Sequence, residues 1–476
     1  MIGRDVVTPL VPCRRTCTIR WAAQIPAHHL TRHQHSHFGG ESNDDGIIPP
    51  MPSYLKRVSA AAAVVAGALS LIAAGCGSSG SNSTSTPTAG PAATLRVPKD
   101  APTVQAAVDQ SKPGDLVLIA KGIYREAVMV RTPRLTIRGE DRNGVILDGD
   151  FSLSDGIVVA TDGVSVENLT LRNYLNNGLI FNGILTPEGT ADPARKPIDG
   201  WRGRYVTAIN NGLYGVYAFS AQNGVFDHVY ASGSGDSGIY IGQCHPCNAL
   251  VTDSAAVANT IGYEGTNSGG DVVLVRSTYN RNRIGIAINS SHMERAVASS
   301  DVVVAGNIVD DNDNPVTPEG DGAFGFGIAI GGAENVTITK NRVRGNLAVG
   351  IVITEQETFV PGNNRVTGNV LSDNGIDLGL FPTLLPTLPA GANCFATNRF
   401  GSSFPPAIET AARCDSGAGP QVAKRPRFAP QPPGVTMNEI PHPPRQPSMP
   451  GAAEQPASPA IGLPPTIDLT RIGVPT

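Results

Sequence analysis

A glycine followed by alternating apolar residues recurs through most of this chain. It stands at Gly156-Ile-Val-Val, Gly178-Leu-Ile-Phe, Gly215-Val-Tyr-Ala, Gly238-Ile-Tyr-Ile, Gly262-Tyr-Glu, Gly285-Ile-Ala-Ile, Gly327-Ile-Ala-Ile, Gly350-Ile-Val-Ile and Gly375-Ile-Asp-Leu. Several intervals are about 22 to 25 residues, and longer gaps separate 178 from 215 and 285 from 327. Second short strands lie between the glycines, as in Val164-Ser-Val-Glu-Asn-Leu-Thr-Leu and Val336-Thr-Ile-Thr-Lys-Asn-Arg-Val. Each repeat thus holds two or three strands divided by Asn, Asp and Gly turns.

No such repeat can bury its apolar side alone, but stacked repeats share a continuous core of Ile, Val and Leu. Asn recurs just before the glycines, at Asn177, Asn259, Asn282, Asn346 and Asn374. A turn Asn can enter the left-handed region, and stacked amides can hydrogen-bond to one another. The pattern predicts an all-β solenoid, a single-stranded parallel β-helix. Its low aromatic content (5%), low charged content (16%) and 54 glycines agree with that.

The pattern fails at both ends. Residues 1–50 carry His28, His29, His33, His35 and His37 among arginines, with nothing to organise them as a metal site. Met51 then opens a short basic segment with Lys56 and Arg57, followed by an apolar run that ends Ala73-Ala74-Gly75-Cys76. A signal peptide needs its basic end near the true start. Translation is therefore expected to begin at Met51, with residues 1–50 an upstream misreading. Residues 51–75 read as a bacterial lipoprotein signal, with lipid on Cys76 as the anchor. Ala73 departs from the usual Leu of that signal; the alternatives, an uncleaved anchor or ordinary secretion, also export the chain. Residues 76–93 read as a flexible tether. The solenoid is expected over 94–415. Residues 416–476, with Gln431-Pro432-Pro433 and Pro441-His442-Pro443-Pro444, read as a disordered Pro-rich tail.

A net charge of −4 over 476 residues makes no general case for a nucleic-acid partner. Outside the leader and Cys76, four cysteines remain in an exported chain, and proximity favours disulfides Cys244–Cys247 and Cys394–Cys414. A redox role for Cys-His-Pro-Cys would need a thioredoxin-like βαβ setting, which the pattern lacks.

Residues 103–126, Thr-Val-Gln-Ala-Ala-Val-Asp-Gln-Ser-Lys-Pro-Gly-Asp-Leu-Val-Leu-Ile-Ala-Lys-Gly-Ile-Tyr-Arg-Glu, resemble the opening of pectin lyase-like right-handed β-helix proteins. Leu135-Thr-Ile-Arg-Gly-Glu and Val145-Ile-Leu-Asp-Gly continue the likeness, which extends over about 94–400. The resemblance implies right-handed coils behind a short N-terminal capping helix, and a polysaccharide as partner. It implies no particular reaction, because lyases, hydrolases, esterases, epimerases and non-enzymes share that fold. The catalytic motifs of the pectin methylesterases, polygalacturonases, pectate lyases and mannuronan epimerases have no match here, so no family residue carries over.

Candidate chemistry must then come from geometry. Offsets +1 and +3 from each glycine should point inward and +2 outward. The outward positions are Tyr217, Tyr240, Glu264, Ala287, Ala329, Val352 and Asp377. On consecutive coils, Tyr217, Tyr240 and Glu264 would form an exposed stripe stepping about 4.8 Å, suited to a sugar ring. Asp236, Arg283, His245 and His292 fall on the same coils, with the two histidines at a shared offset. The leading expectation is a surface-anchored protein that binds a polysaccharide and, if an enzyme, acts on a uronate as a lyase or epimerase, using Arg283 or a histidine. Hydrolysis would use Asp236 and Glu264. Equally, each residue could be an ordinary surface residue on a non-catalytic binding or scaffold module. The insertion 183–204 brings Trp201 with Arg195, Lys196, Arg202 and Arg204, a candidate wall for a glycan. The insertion 306–326 holds Asp310, Asp311, Asp313, Glu319 and Asp321. Its oxygens could hold Ca²⁺, but EF-hand spacing is lacking and a solvated loop is expected. The chain is expected to act as a monomer that meets the membrane only through its lipid.

Overall fold

The computed structural model describes residues 92–186, 189–318, 323–381, 393–415 and 425–476. The expected leader, signal, lipidated Cys76 and most of the tether lie outside the described residues, as do Glu319 and Asp321. No helix among the described residues is long and apolar enough to cross a membrane.

The chain is a right-handed parallel β-helix. Each coil contributes one strand to an eleven-stranded sheet that runs, coil after coil, from Val128–Val130 to Ser403–Phe404. The other strands form a twenty-stranded sheet. Every pairing between named strands is parallel. The helix Val104–Gln110 covers the first coil and turns Val104, Ala107 and Val108 into the core. The Thr103 hydroxyl caps it by accepting from the Ala106 N–H at 3.1 Å.

The period-two reading holds inside the solenoid. Ile239, Ile241, Ile286, Ile288, Ile328, Ile330, Ile351 and Ile353, at offsets +1 and +3, are all fully buried. Each such side chain is worth roughly 1.5–3 kcal/mol relative to exposure. The +2 positions align as Tyr217, Tyr240, Glu264, Ala287, Ala329 and Val352 on successive coils. The seventh member is Gly379 and not Asp377, because Ile376 pairs with Val349 and so shifts the last repeat.

The asparagines form ladders. Asn259, Asn282, Asn312, Asn346 and Asn374 follow one another, each side-chain oxygen accepting the N–H and the carboxamide of the preceding member. A second ladder runs through Asn307, Asn341, Asn369 and Asn398. The left-handed conformation falls on the residue before each ladder member and not on the Asn itself. Ala258, Arg281, Asp311, Gly345 and Asp373 have φ of 58°, 56°, 54°, 67° and 59°. That residue turns the corner while the Asn holds the coils together. Asn312→Ala would strand the Asn282 N–H in a buried site and leave its carboxamide donating to the Ala256 carbonyl alone. The expected cost is about 1–3 kcal/mol, read as a lower urea midpoint than wild type; an unchanged midpoint would contradict the ladder's energetic role.

The Pro-rich tail is not disordered over its described part. Residues 425–476 lie on the solenoid. Arg283 donates to the Pro432 carbonyl, Asn210 to that of Ile440, Asn143 to that of Gln446, and Arg142 to that of Pro447. Arg138 donates to the carbonyls of Ala452, Gln455 and Pro456. The segment then returns, with Lys340 donating to the Leu469 carbonyl and Ile467 and Ile472 packing near Val225, Leu250 and Val275. Apolar periodicity gives no sign of this. A Pro-rich extended chain has no internal hydrogen bonds, so its carbonyls are free to accept from the solenoid's arginines and asparagines.

Both expected disulfides, Cys244–Cys247 and Cys394–Cys414, are present.

Candidate active site

Three coils of the eleven-stranded sheet bring carboxyls and phenols together. Strands Val216–Phe219, Ser237–Gly242 and Ile261–Thr266 present Tyr217, Tyr240 and Glu264 on one face. Tyr214 and Asp236 reach the same place from the turns that precede the first two strands. Glu294 arrives from the excursion 290–299 between strands Ile284–Asn289 and Ser300–Ala305.

One hydroxyl ties the acid pair. Ser237 Oγ lies 2.9 Å from an Asp236 oxygen and 2.7 Å from a Glu264 oxygen. A serine hydroxyl has a single proton to donate. It cannot fully satisfy two carboxylates at once, so a proton retained on one of the two carboxyls is favoured. The charge balance agrees: burial, then the neighbouring Asp236, pushes Glu264 up to about 8, and burial raises Asp236 as well. Asn289 and Thr266 donate to the other Glu264 oxygen at 3.3 and 3.4 Å. The Tyr214 phenol stands beside Asp236 and opposes its rise.

Glu294 makes a second acid–phenol pair by accepting the Tyr240 hydroxyl. Burial pushes it up to about 7. Its other oxygen is buried without a partner. The excursion that carries it is pinned from below. Asn267 donates to the carbonyls of Ser291 and Ala296, and Gln243 accepts the N–H of Arg295 at 2.7 Å. Tyr214, Tyr217 and Tyr240 are all held well above the usual phenol range by burial and these carboxyls, so their phenols stay neutral.

The expected open stripe is therefore partly covered. Tyr240 is 4% and Glu264 7% exposed, with Glu294 and its loop reaching across them. The aromatic rings also stack on one another: Tyr217 lies parallel to Tyr214 at 4.7 Å and to Phe219 at 5.5 Å. Asp236 stays half-buried at the opening. Beyond Glu264 the same face is apolar and roofed. Phe428 of the tail meets Phe326 edge-on at 5.3 Å, and Arg425 pairs with Glu355 at 2.6 Å.

Other expected members sit elsewhere. Arg283 is fully buried and donates to Thr317, Gln431 and Pro432, clamping the neighbouring insertion and the tail. His245 is exposed on the disulfide turn, 3.2 Å from the Ser300 hydroxyl. His292 stacks against Phe359 and bonds Thr358. Neither histidine has a contact with the acid pair. Trp201 is not on a loop wall: it lies in the strand Ile198–Ile209, fully buried against Phe181 and Phe226. Gly224 makes room for it; a Cβ there would fall 1.7 Å from the indole. Arg204 pairs with Asp227, and Asp310 of the acidic insertion pairs with Arg342 and Arg344.

Tyr214, Ser237, Asn289 and Glu294 went unseen in the sequence. Ser237 and Asn289 sit inside strand repeats, where their register with Glu264 could have flagged them. Tyr214 precedes its repeat's glycine, one place from the offset of Asp236. Glu294 lies within the long gap between Gly285 and Gly327, which has no period to place it.

Residues 198–371 match the family described as right handed beta helix region. A search of curated proteins gave no match. Among solved structures, the chain is similar to the A-module of the Azotobacter vinelandii mannuronan C-5 epimerase AlgE4 (13% identity, TM-score 0.42, covering 68% of this chain and 91% of that one). It is similar to the catalytic domain of a GH87 α-1,3-glucanase (13%, 0.47, 71% and 70%) and to pectate lyase Pel9A (15%, 0.36, 67% and 76%).

Proposed function

We propose that this chain is an exported, lipid-anchored β-helix protein that binds a polysaccharide beside its tyrosine column and hydrolyses a glycosidic bond there. The observation that carries this is the Ser237-bridged pair of Asp236 and Glu264, in which burial and the facing Asp236 push Glu264 up to about 8. Protonated Glu264 would give its proton to the leaving oxygen as general acid while ionised Asp236 attacks the sugar carbon, and a water deprotonated by Glu264 would then displace Asp236 and release the sugar. Ser237 and Asn289 keep Glu264 in place, and Ser237 also meets Asp236. Elimination from a uronate fits less well. It asks for a cation beside the sugar carboxylate, and the guanidinium of Arg283 is turned to Thr317 and the tail.

Export is supported by the signal-like run ending at Cys76 and by two disulfides, which persist in oxidising compartments. Lipid on Cys76 would be seen as the mass of the mature N-terminal peptide, and a free thiol there would remove that part of the reading. A binding-only role is the second reading, favoured by the mutual stacking of the tyrosine rings. The chain from residue 76 onward, with Cys76→Ser and the tail kept, should release reducing ends from at least one member of a panel of neutral and acidic glycans. Binding with no new reducing ends across the panel would leave the binding-only reading standing.

A further inference from the structure

Arg142 is buried without a counter-charge. Buried Arg138, by contrast, has Glu167 at 2.7 Å, and the more exposed Arg276 grips both oxygens of Asp253. Arg142 is 2% exposed, yet its guanidinium meets only neutral acceptors. These are Thr207 Oγ1 at 2.7 Å, the Val206 carbonyl at 2.9 Å and the Pro447 carbonyl at 3.1 Å. No carboxylate among the described residues forms an ion pair with it. Burying a charge without a counter-charge is costly, and burial draws its pKa down to about 10.

Arg142 also lines a cavity of about 360 Å³ on the twenty-stranded sheet, away from the acid pair. His228, Tyr230, Ser254 and Arg276 share the lining, and Gln446 and Pro447 of the tail supply a wall. The lining's one carboxylate, Asp253, is already held by Arg276, so Arg142 is left as the uncompensated charge. The volume lies at the small end of ligand pockets, which run from about 300 to 1,000 Å³.

We propose that this cavity binds a monosaccharide-sized ligand bearing an oxyanion, whose carboxylate, sulfate or phosphate group sits against Arg142. The fork of the guanidinium still has N–H groups beyond those given to Thr207, Val206 and Pro447, and it matches the geometry of such groups. The Tyr230 hydroxyl offers a further donor on the same wall. One wall belongs to the tail, so occupancy and tail docking must stabilise each other reciprocally.

The test uses the exported chain with its tail, at low ionic strength, and four probes: sulfate, inorganic phosphate, galacturonate and glucose. Hydrogen exchange should show protection at Arg142, at 228–230 and at Gln446 with one or more of the three anions. It should show none with glucose or with chloride at matched ionic strength. Protection by all three anions would assign the site to the charged group alone; protection by galacturonate only would assign it to an acidic sugar. Arg142→Met should weaken binding about tenfold or more, with Arg142→Lys in between. Limited proteolysis reports whether each variant keeps its tail docked, and where Arg142→Met does not, the wild-type exchange map and Arg142→Lys decide. Exchange with every anion indistinguishable from chloride would overturn the proposal. So would unchanged affinity in Arg142→Met with the tail docked.

Discussion

Glu264→Gln is expected to remove hydrolysis and, at the same time, to stabilise the fold at alkaline pH. The two effects share one cause. Glu264 holds its proton up to about 8 in the folded chain, because it is buried and faces Asp236. In the unfolded chain an ordinary Glu releases its proton near 4.3. Between those values the folded state binds more protons than the unfolded state, so wild-type stability must fall as pH rises. The loss begins near the unfolded value and is complete once pH passes the folded one. It amounts to a few kcal/mol in order of magnitude. Glutamine keeps the shape and the Ser237 contact but carries no charge, so its stability curve should be flatter over that range. It should not be level, since Asp236 and Glu294 are raised too and the carboxyls titrate as a coupled set. Loss of the general acid should cost about 10²–10⁴ in rate, and wild-type activity should decline as pH passes about 8. Urea unfolding at several pH values, with a reducing-end assay, reads both effects. A variant whose stability tracks wild type at every pH would refute the retained proton; one that hydrolyses at the wild-type rate would refute the catalytic role.

The coils were readable in the sequence because a solenoid repeats its own constraint. Each Gly-apolar-x-apolar unit must place Ile or Val inward at offsets +1 and +3, and the same spacing fixes which residues share an outward column. That is why Tyr217, Tyr240 and Glu264 could be aligned from spacing alone. The period carries no information about what covers the column. Glu294 stands in an excursion with no repeat, and its partnership with Tyr240 depends on how Asn267 and Gln243 hold the loop. Trp201 failed for a related reason. Its neighbours Arg202 and Arg204 look like an exposed basic loop, yet in a strand they alternate with it, so the arginines face out and the indole faces in.

The tail is the larger miss, and it changes how the acid pair is approached. Phe428 and Arg425 lie over Phe326, Phe381 and Glu355 on the face that continues beyond Glu264. Any ligand at Asp236 and Glu264 therefore meets the chain's own C-terminal segment on one side and the Glu294 excursion above. A fragment ending at 415 would uncover apolar side chains and leave buried arginines without their acceptors. Assays on such a fragment would report on a different surface.

Arg138→Met should show how much the tail depends on one cation. Arg138 and Glu167 are both fully buried and joined at 2.7 Å, and the Ser165 hydroxyl also donates to Glu167. Removing the arginine leaves a carboxylate in the interior with one hydroxyl for a partner, at an expected cost of about 3–5 kcal/mol. Adding Glu167→Gln removes the stranded charge and should recover most of that loss. The tail should not recover in the double variant. The carbonyls of Ala452, Gln455 and Pro456 accept from Arg138, and neither methionine nor the neutral amide replaces its fork. Unfolding should thus return toward wild type while proteases cut within 446–460. This separation follows from geometry: Glu167 belongs to the solenoid, whereas Arg138 serves the solenoid and the tail together. A double variant that regains stability and protease resistance together would show that the tail is held by its other contacts, such as the Asn168 side-chain oxygen accepting the Met449 N–H and the Gly163 carbonyl accepting the Ala460 N–H.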